Sequence, residues 1–371
     1  LRQEKEEENK MSNSSGFVET QTPITRKLIL LAQHGYHGSA SQFGKLFENL
    51  KGIDSDMYDC PDLILRKETA KEDLPQELVS PITLYRTAFT NEAIGPIAEQ
   101  ADDIKSIIKT LKEKYPDVRI VLLGHSKGGL VNMHYAITYP GNINGLISIG
   151  TPYNFNIMGF VQGLLDDILR TAKNVSDFLS IDELKEKIDS LYERIENEFV
   201  DDDLGNPEVV KRLKLKWNSL PKGKTPKLFT IGACQMGKTS NYKGGGDLVV
   251  AASSQVANGY QKVYQRFYVK DNYINLKIDE FLAGLSAGTL IKIITVIKQT
   301  IYYATNDIFE KVFKLFLALT GENGAFPEYD LIHTRECDNL NVAKYIDSVL
   351  DTLLREENQD NNDFEPVLSE Y

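Results

Sequence analysis

Five short runs rich in leucine and β-branched residues are spaced along the chain: KLILLAQHG (27–35), RIVLLGHS (119–126), GLISIGTP (145–152), KLFTIGA (227–233) and KVYQRFYV (262–269). The first four are apolar in consecutive rather than alternate positions, which suits strands buried on both faces. Helical patterns lie between several of them. AEQADDIKSIIKTLKEKY (98–115) sets Ala98, Ile104, Ile107, Ile108 and Leu111 along one face and then meets Pro116. Strands of this kind alternating with helices predict an α/β fold, a mostly parallel central sheet flanked by helices.

Two stretches interrupt the alternation. Residues 153–224 are helical in pattern, with a stripe at Ile157, Val161, Leu164, Leu165, Ile168 and Ala172, then a three-four repeat at Ile181, Leu184, Ile188, Leu191 and Ile195. Residues 272–326 are more apolar, but their longest uncharged run stops at Lys292, too short to span a bilayer. Both are expected to be helical insertions forming a lid or cap, with transient contact to a lipid interface as one use of their apolar faces. The expected organisation is a flexible leader at 1–26, core at 27–152, insertion at 153–224, core at 225–271, insertion at 272–326, core at 327–355 and a flexible acidic tail at 356–371.

The most informative short segment is VRIVLLGHSKGGLVNMH (118–134). A Gly-x-Ser-x-Gly match arises by chance in a chain this long roughly one time in ten. Here Gly124, Ser126 and Gly128 follow a buried-type strand and open a helix, the setting a nucleophile elbow requires. The elbow strains the serine backbone so that its hydroxyl stands clear of the sheet, and side chains at Gly124 and Gly128 would collide with the neighbouring strand and helix. An ester-cleaving serine also needs two N–H donors for the oxyanion. Lys127, the residue after the nucleophile, supplies one, and Tyr36, just past the strand ending in His34-Gly35, supplies the other.

HGYHGSASQFGKLFENL, GHSKGGLVNMHYA and SIGTPYNF resemble the α/β-hydrolase lipases and serine esterases, in particular the bacterial triacylglycerol-lipase-like and GPI-inositol-deacylase-like esterases. The resemblance runs from about residue 27 to 152, resumes near 225 and ends near 355. It implies a Ser-acid-His triad in that chain order, and a helical lid inserted after the GTP-type strand, where the first insertion lies.

Five histidines are available as the base. His34 and His37 belong to the oxyanion loop, His125 adjoins the serine with its ring expected to point away, and His134 reads as a core histidine two turns along the helix. His333, before the amphipathic segment with Val342, Ile346, Val349 and Leu350, remains, and it falls where the resemblance puts the catalytic histidine. The resemblance likewise places the acid at Asp247, in GGGDLVV; Asp271 is the fallback.

The stretch Gly232 to Thr239, GACQMGKT, also satisfies the phosphate-binding pattern G-x-x-x-x-G-K-[ST]. Such a loop must open a helix, whereas SNYKGGGD follows, and three consecutive glycines start a helix badly. Nucleotide binding is therefore the alternative to ester hydrolysis. Thioester or amide cleavage is a second alternative, using the same machinery, and a hydrolase fold that only binds is a third.

The net charge of −11 disfavours a nucleic-acid partner. Cys60, Cys234 and Cys337 are far apart and form no metal-ligand spacing with the histidines, so neither a metal nor another cofactor is expected. Sparse cysteines and a charged N-terminal stretch without an apolar segment predict a cytoplasmic protein. The expected function is hydrolysis of carboxylic esters, acyl-chain or lipid esters before small polar ones.

Overall fold

The computed structural model describes residues 27–36, 38–90, 93–154, 202–233, 250, 252–269, 336–355 and 367–369. Its strands are β1 (Leu28–Gln33), β2 (Met57–Leu65), β3 (Ile82–Thr87), β4 (Arg119–His125), β5 (Gly145–Ile149), β6 (Lys227–Ala233), β7 (Val263–Val269) and β8 (Val367–Ser369). Its helices are α1 (Gly44–Ile53), α2 (Ile97–Lys114), α3 (Lys127–Thr138), α4 (Pro207–Ser219), the short α5 (Ala252–Gln255) and α6 (Leu340–Arg355). The eight strands form one sheet in the order β2-β3-β1-β4-β5-β6-β7-β8, every neighbouring pair parallel.

The uninterrupted apolar runs are explained by layers on both faces. Within β1, Ile29 and Leu31 join the core under α2, α3 and α4, while Leu28, Leu30 and Ala32 join the core under α1 and α6. β4 divides likewise, Ile120 and Leu122 to one side and Val121 and Leu123 to the other. α2 ends at Lys114, ahead of Pro116 as expected, but its buried face runs through Ile97, Ala101, Ile104 and Ile108, and Ala98 faces solvent. The three-four spacing of those four residues puts Ala98 about 100° off the stripe.

β2 and β3 carry no apolar-run signal. β2 is an edge strand interrupted by Pro61, a residue that sheets tolerate at an edge. β3 contains Arg86, buried and paired through its two terminal guanidinium nitrogens with Asp59 of β2 at 3.0 Å each. Satisfying the charge across the two strands lets a sequence with an arginine in its middle lie inside the sheet.

The insertion at 153–224 needs correction at its end. α4 packs on α3 and buries Val210, Leu213 and Trp217 in the main core, and the Trp217 indole N–H donates to the Gln261 carbonyl at 2.8 Å. Residues 202–224 are thus part of the helical layer, because their apolar stripe is used against the sheet side of the molecule. Residues 155–201 and the second insertion, 272–326, lie outside the described residues, as does the leader at 1–26. In the expected tail, Val367–Ser369 pairs in parallel with β7 as a three-residue edge strand, since the outer side of β7 offers free ladder groups. Among the described residues no helix is long and apolar enough to cross a membrane.

His134 lies half-buried on α3 rather than in the core. Burial, with Lys216 adding to it and Asp203 and Asp102 opposing, lowers its pKa below the ordinary histidine value of 6.5. Above that value the ring is neutral folded and unfolded, and stability does not depend on it. As pH falls below it, the unfolded chain takes up the proton first, so stability is lost until the folded pKa is passed. His134→Gln should therefore flatten the fall in melting temperature between pH 7 and pH 5; an unchanged slope would assign the acid sensitivity to other groups.

Candidate active site

β1 and β4 lie side by side at the centre of the sheet, in register from Leu28↔Arg119 to Gln33↔Gly124, but the chain leaves them in opposite directions. From β1 it goes through α1 to the β2 edge; from β4 it goes through α3 to β5 on the other side. In open parallel sheets a crevice forms at the carboxyl ends of the strands where the order reverses in this way. The residues delivered to that point are His34-Gly35-Tyr36 after β1 and Ser126 after β4.

Ser126 caps the N-terminus of α3 with φ +53° and ψ −128°. A non-glycine residue there carries strain of order 1–3 kcal/mol, and the surroundings must hold it. They do so through two hydrogen bonds, Ser126 N–H to the Ile149 carbonyl at 2.9 Å and Gly129 N–H to the Ser126 carbonyl at 3.0 Å. A Cβ at Gly124 would lie 2.4 Å from the Gly129 nitrogen, and one at Gly128 would lie 2.4 Å from the Gln33 carbonyl oxygen. The collisions are thus with the first turn of α3 and with the end of β1. The loop after β1 comes nearly as close. A Cβ at Gly35 would be 2.7 Å from the Ser126 Cβ and 3.2 Å from its Oγ.

A strained serine between strand and helix, at the switch point of a parallel sheet, has the geometry that a nucleophile elbow requires. The chain has the α/β-hydrolase fold. Residues 92–217 of the chain match the family described as serine aminopeptidase, S33. No curated protein matches the sequence. Similar solved structures include a gene product of Listeria innocua, 14% identical over 82% of this chain and 97% of that chain, with a TM-score of 0.42. A lipase of Bacillus licheniformis in its mature form is also 14% identical, over 72% of this chain and 94% of that one, with a TM-score of 0.38. A thermostable carboxyl esterase of Bacillus coagulans in complex with glycerol is 14% identical over 74% and 91%, with a TM-score of 0.33.

Lys127 is the first residue of α3, where a helix leaves its N–H groups without intrahelical acceptors and presents its positive end. Tyr36 is half-buried, with the Lys127 ammonium 5.7 Å from the centre of its ring. The expected acid and base, Asp247 and His333, lie outside the described residues, and so do Asp271 and His37. Of the phosphate-loop pattern, Gly232 and Ala233 belong to β6, and positions 234–239 lie outside the described residues.

His125 does not merely turn aside. Its buried ring is held at both nitrogens, Nδ1 accepting from the Gln42 side-chain amide at 2.8 Å and Nε2 donating to Glu336 Oε2 at 3.1 Å. This assignment describes a neutral ring with its proton on Nε2, which gives each ring nitrogen a partner of the right kind. Glu336 is fully buried, in the 3-10 turn preceding α6. Room for its carboxylate exists because Gly150, at φ +57°, has no side chain; a Cβ there would be 2.0 Å from Oε2. The elbow is thereby joined to the start of α1 and to the start of α6. His34 is buried too, its Nδ1–H donating to the Gly35 carbonyl at 3.0 Å and its ring edge-on to Phe89.

Gln42, Glu336 and Asp202, which meets Lys127, were not singled out by sequence reasoning. An acidic residue in RECDN or VDDDL reads as a solvated charge, and its buried partner lies far away in the chain.

Proposed function

We propose that the chain is a serine hydrolase of carboxylic esters, working through Ser126, His333 and Asp247. The observation that carries this reading is the conformation of Ser126 beside Gly35 at the carboxyl ends of β4 and β1. In the scheme His333 takes the Ser126 hydroxyl proton as Oγ attacks the ester carbonyl, and Asp247 holds the imidazole in the required tautomer. The N–H groups of Lys127 and Tyr36 receive the developing oxyanion. His333 then protonates the leaving alkoxide, which departs as the alcohol. Water, deprotonated by the same imidazole, attacks the acyl-enzyme and releases the acid.

The apolar composition of 272–326 favours acyl-chain or lipid esters over small polar ones. A second reading, amide cleavage, draws on the match to a family described as a serine aminopeptidase, since the same nucleophile and oxyanion donors serve both bonds.

The test is labelling by a fluorophosphonate probe, beside a series of p-nitrophenyl esters of increasing acyl length and a set of aminoacyl p-nitroanilides. Covalent labelling with a preference for longer acyl esters is the expected result. Anilide turnover exceeding ester turnover would move the assignment to amides, and a chain that neither labels nor turns over either set would overturn the hydrolase reading.

A further inference from the structure

Lys127 is an unexpected side chain at the first position of a buried helix. It has no exposed surface, and its ammonium makes three hydrogen bonds: to the Ala93 carbonyl at 2.8 Å, the Gly95 carbonyl at 2.6 Å and Asp202 Oδ2 at 2.5 Å. Those three acceptors match its three protons. The Tyr36 ring lies 5.7 Å away, within cation–π range.

The acceptors are themselves held in place. Ala93 has φ +60° and Gly95 φ +89°, so the loop after β3 is bent into the left-handed region while two of its carbonyls meet one ammonium. Asp202 Oδ2 also accepts the Gly95 N–H at 2.9 Å, and Oδ1 accepts the Leu204 N–H at 2.9 Å. Asp203 Oδ2 accepts the Ile97 N–H at the start of α2 at 2.7 Å. Three chain segments are tied at one point, and the residue at the centre is the one whose backbone N–H lies next to the nucleophile.

Stability alone accounts poorly for such a pair. Burial pushes the Lys127 ammonium's pKa down, with Asp202 opposing, and well-packed apolar side chains in place of a buried ion pair often leave a fold as stable or more so. What the charge supplies is direction, because three hydrogen bonds and a ring face fix both residues assigned as oxyanion donors.

We propose that the Lys127 side chain, with Asp202 as its counter-ion, is a positioning group for the oxyanion hole, holding the N–H groups of Lys127 and Tyr36 in the geometry of the tetrahedral intermediate. The inference rests on the hydrolase reading above. It acts through the backbone, so a side-chain substitution removes the brace and leaves the Lys127 N–H in place.

The experiment compares the full chain with Lys127→Met, Asp202→Asn and the double variant. For each it measures melting temperature, kcat and KM for a p-nitrophenyl ester, and affinity for an alkylboronic acid that forms a tetrahedral adduct with the serine. Each single variant should melt lower, since each leaves one buried charge uncompensated, and the double variant should recover much of that loss. Turnover should not recover with it. In Lys127→Met and in the double variant kcat should stay about 10- to 100-fold down with KM nearly unchanged, and boronate affinity should fall in parallel. A double variant that regains wild-type kcat and boronate affinity along with its melting temperature would make the pair a structural tie and overturn the inference. Loss of activity in the wild-type chain itself would instead overturn the hydrolase reading, and the fluorophosphonate label reports that separately.

Discussion

Ser126→Ala is expected to lower ester turnover by about 10⁵- to 10⁶-fold, the scale on which loss of a triad nucleophile acts, with little change in melting temperature. The expectation of an intact fold comes from the elbow. Alanine keeps the Cβ, so it meets Gly35 as serine does, and both backbone hydrogen bonds at position 126 are independent of the side chain. Alanine also adopts φ +53° at much the same cost as serine. The variant should lose fluorophosphonate labelling completely and retain the native melting profile. Undiminished turnover in the folded variant would place the chemistry elsewhere.

Asp247→Asn is expected to cost about 10⁴-fold in kcat, with Asp271→Asn within a few-fold of the native chain. An asparagine can present an amide N–H where the imidazole must donate, and so favours the wrong tautomer, a loss of about that size in serine proteases. Substrate binding does not use the acid, so KM should stay nearly constant and the loss should appear in turnover. Matching kcat measurements on the two variants decide between the two aspartates. If Asp271→Asn carries the loss, the acid is supplied after β7 and the assignment of Asp247 fails.

Of the candidate site, the strand-turn-helix at Ser126 and the loop after β1 were legible in the sequence, for a local reason. A consecutive apolar run needs burial on both faces, and a serine between strand and helix needs bare neighbours, so KLILLAQHG and RIVLLGHSKGG each carry their own constraint. The apolar stripes of α2 and α6 were legible on the same ground, apart from the one-position shift at Ala98. β3 was not, because Arg86 argues against a central strand until Asp59 is known to sit beside it.

By itself the sequence determined a layered parallel sheet and the placing of Ser126 at the end of one of its strands, since both follow from periodicity and turn chemistry within about a dozen residues. Only the tertiary structure decided that strands β1 and β4 become neighbours with opposite exits, so that Gly35 meets Ser126. It alone decided that Lys127 turns inward to Asp202, 75 residues away, and that His125 joins Glu336, 211 residues away. A charged side chain reads as solvated unless its partner is known, and such partners are set by how the chain crosses the sheet, which no local pattern encodes.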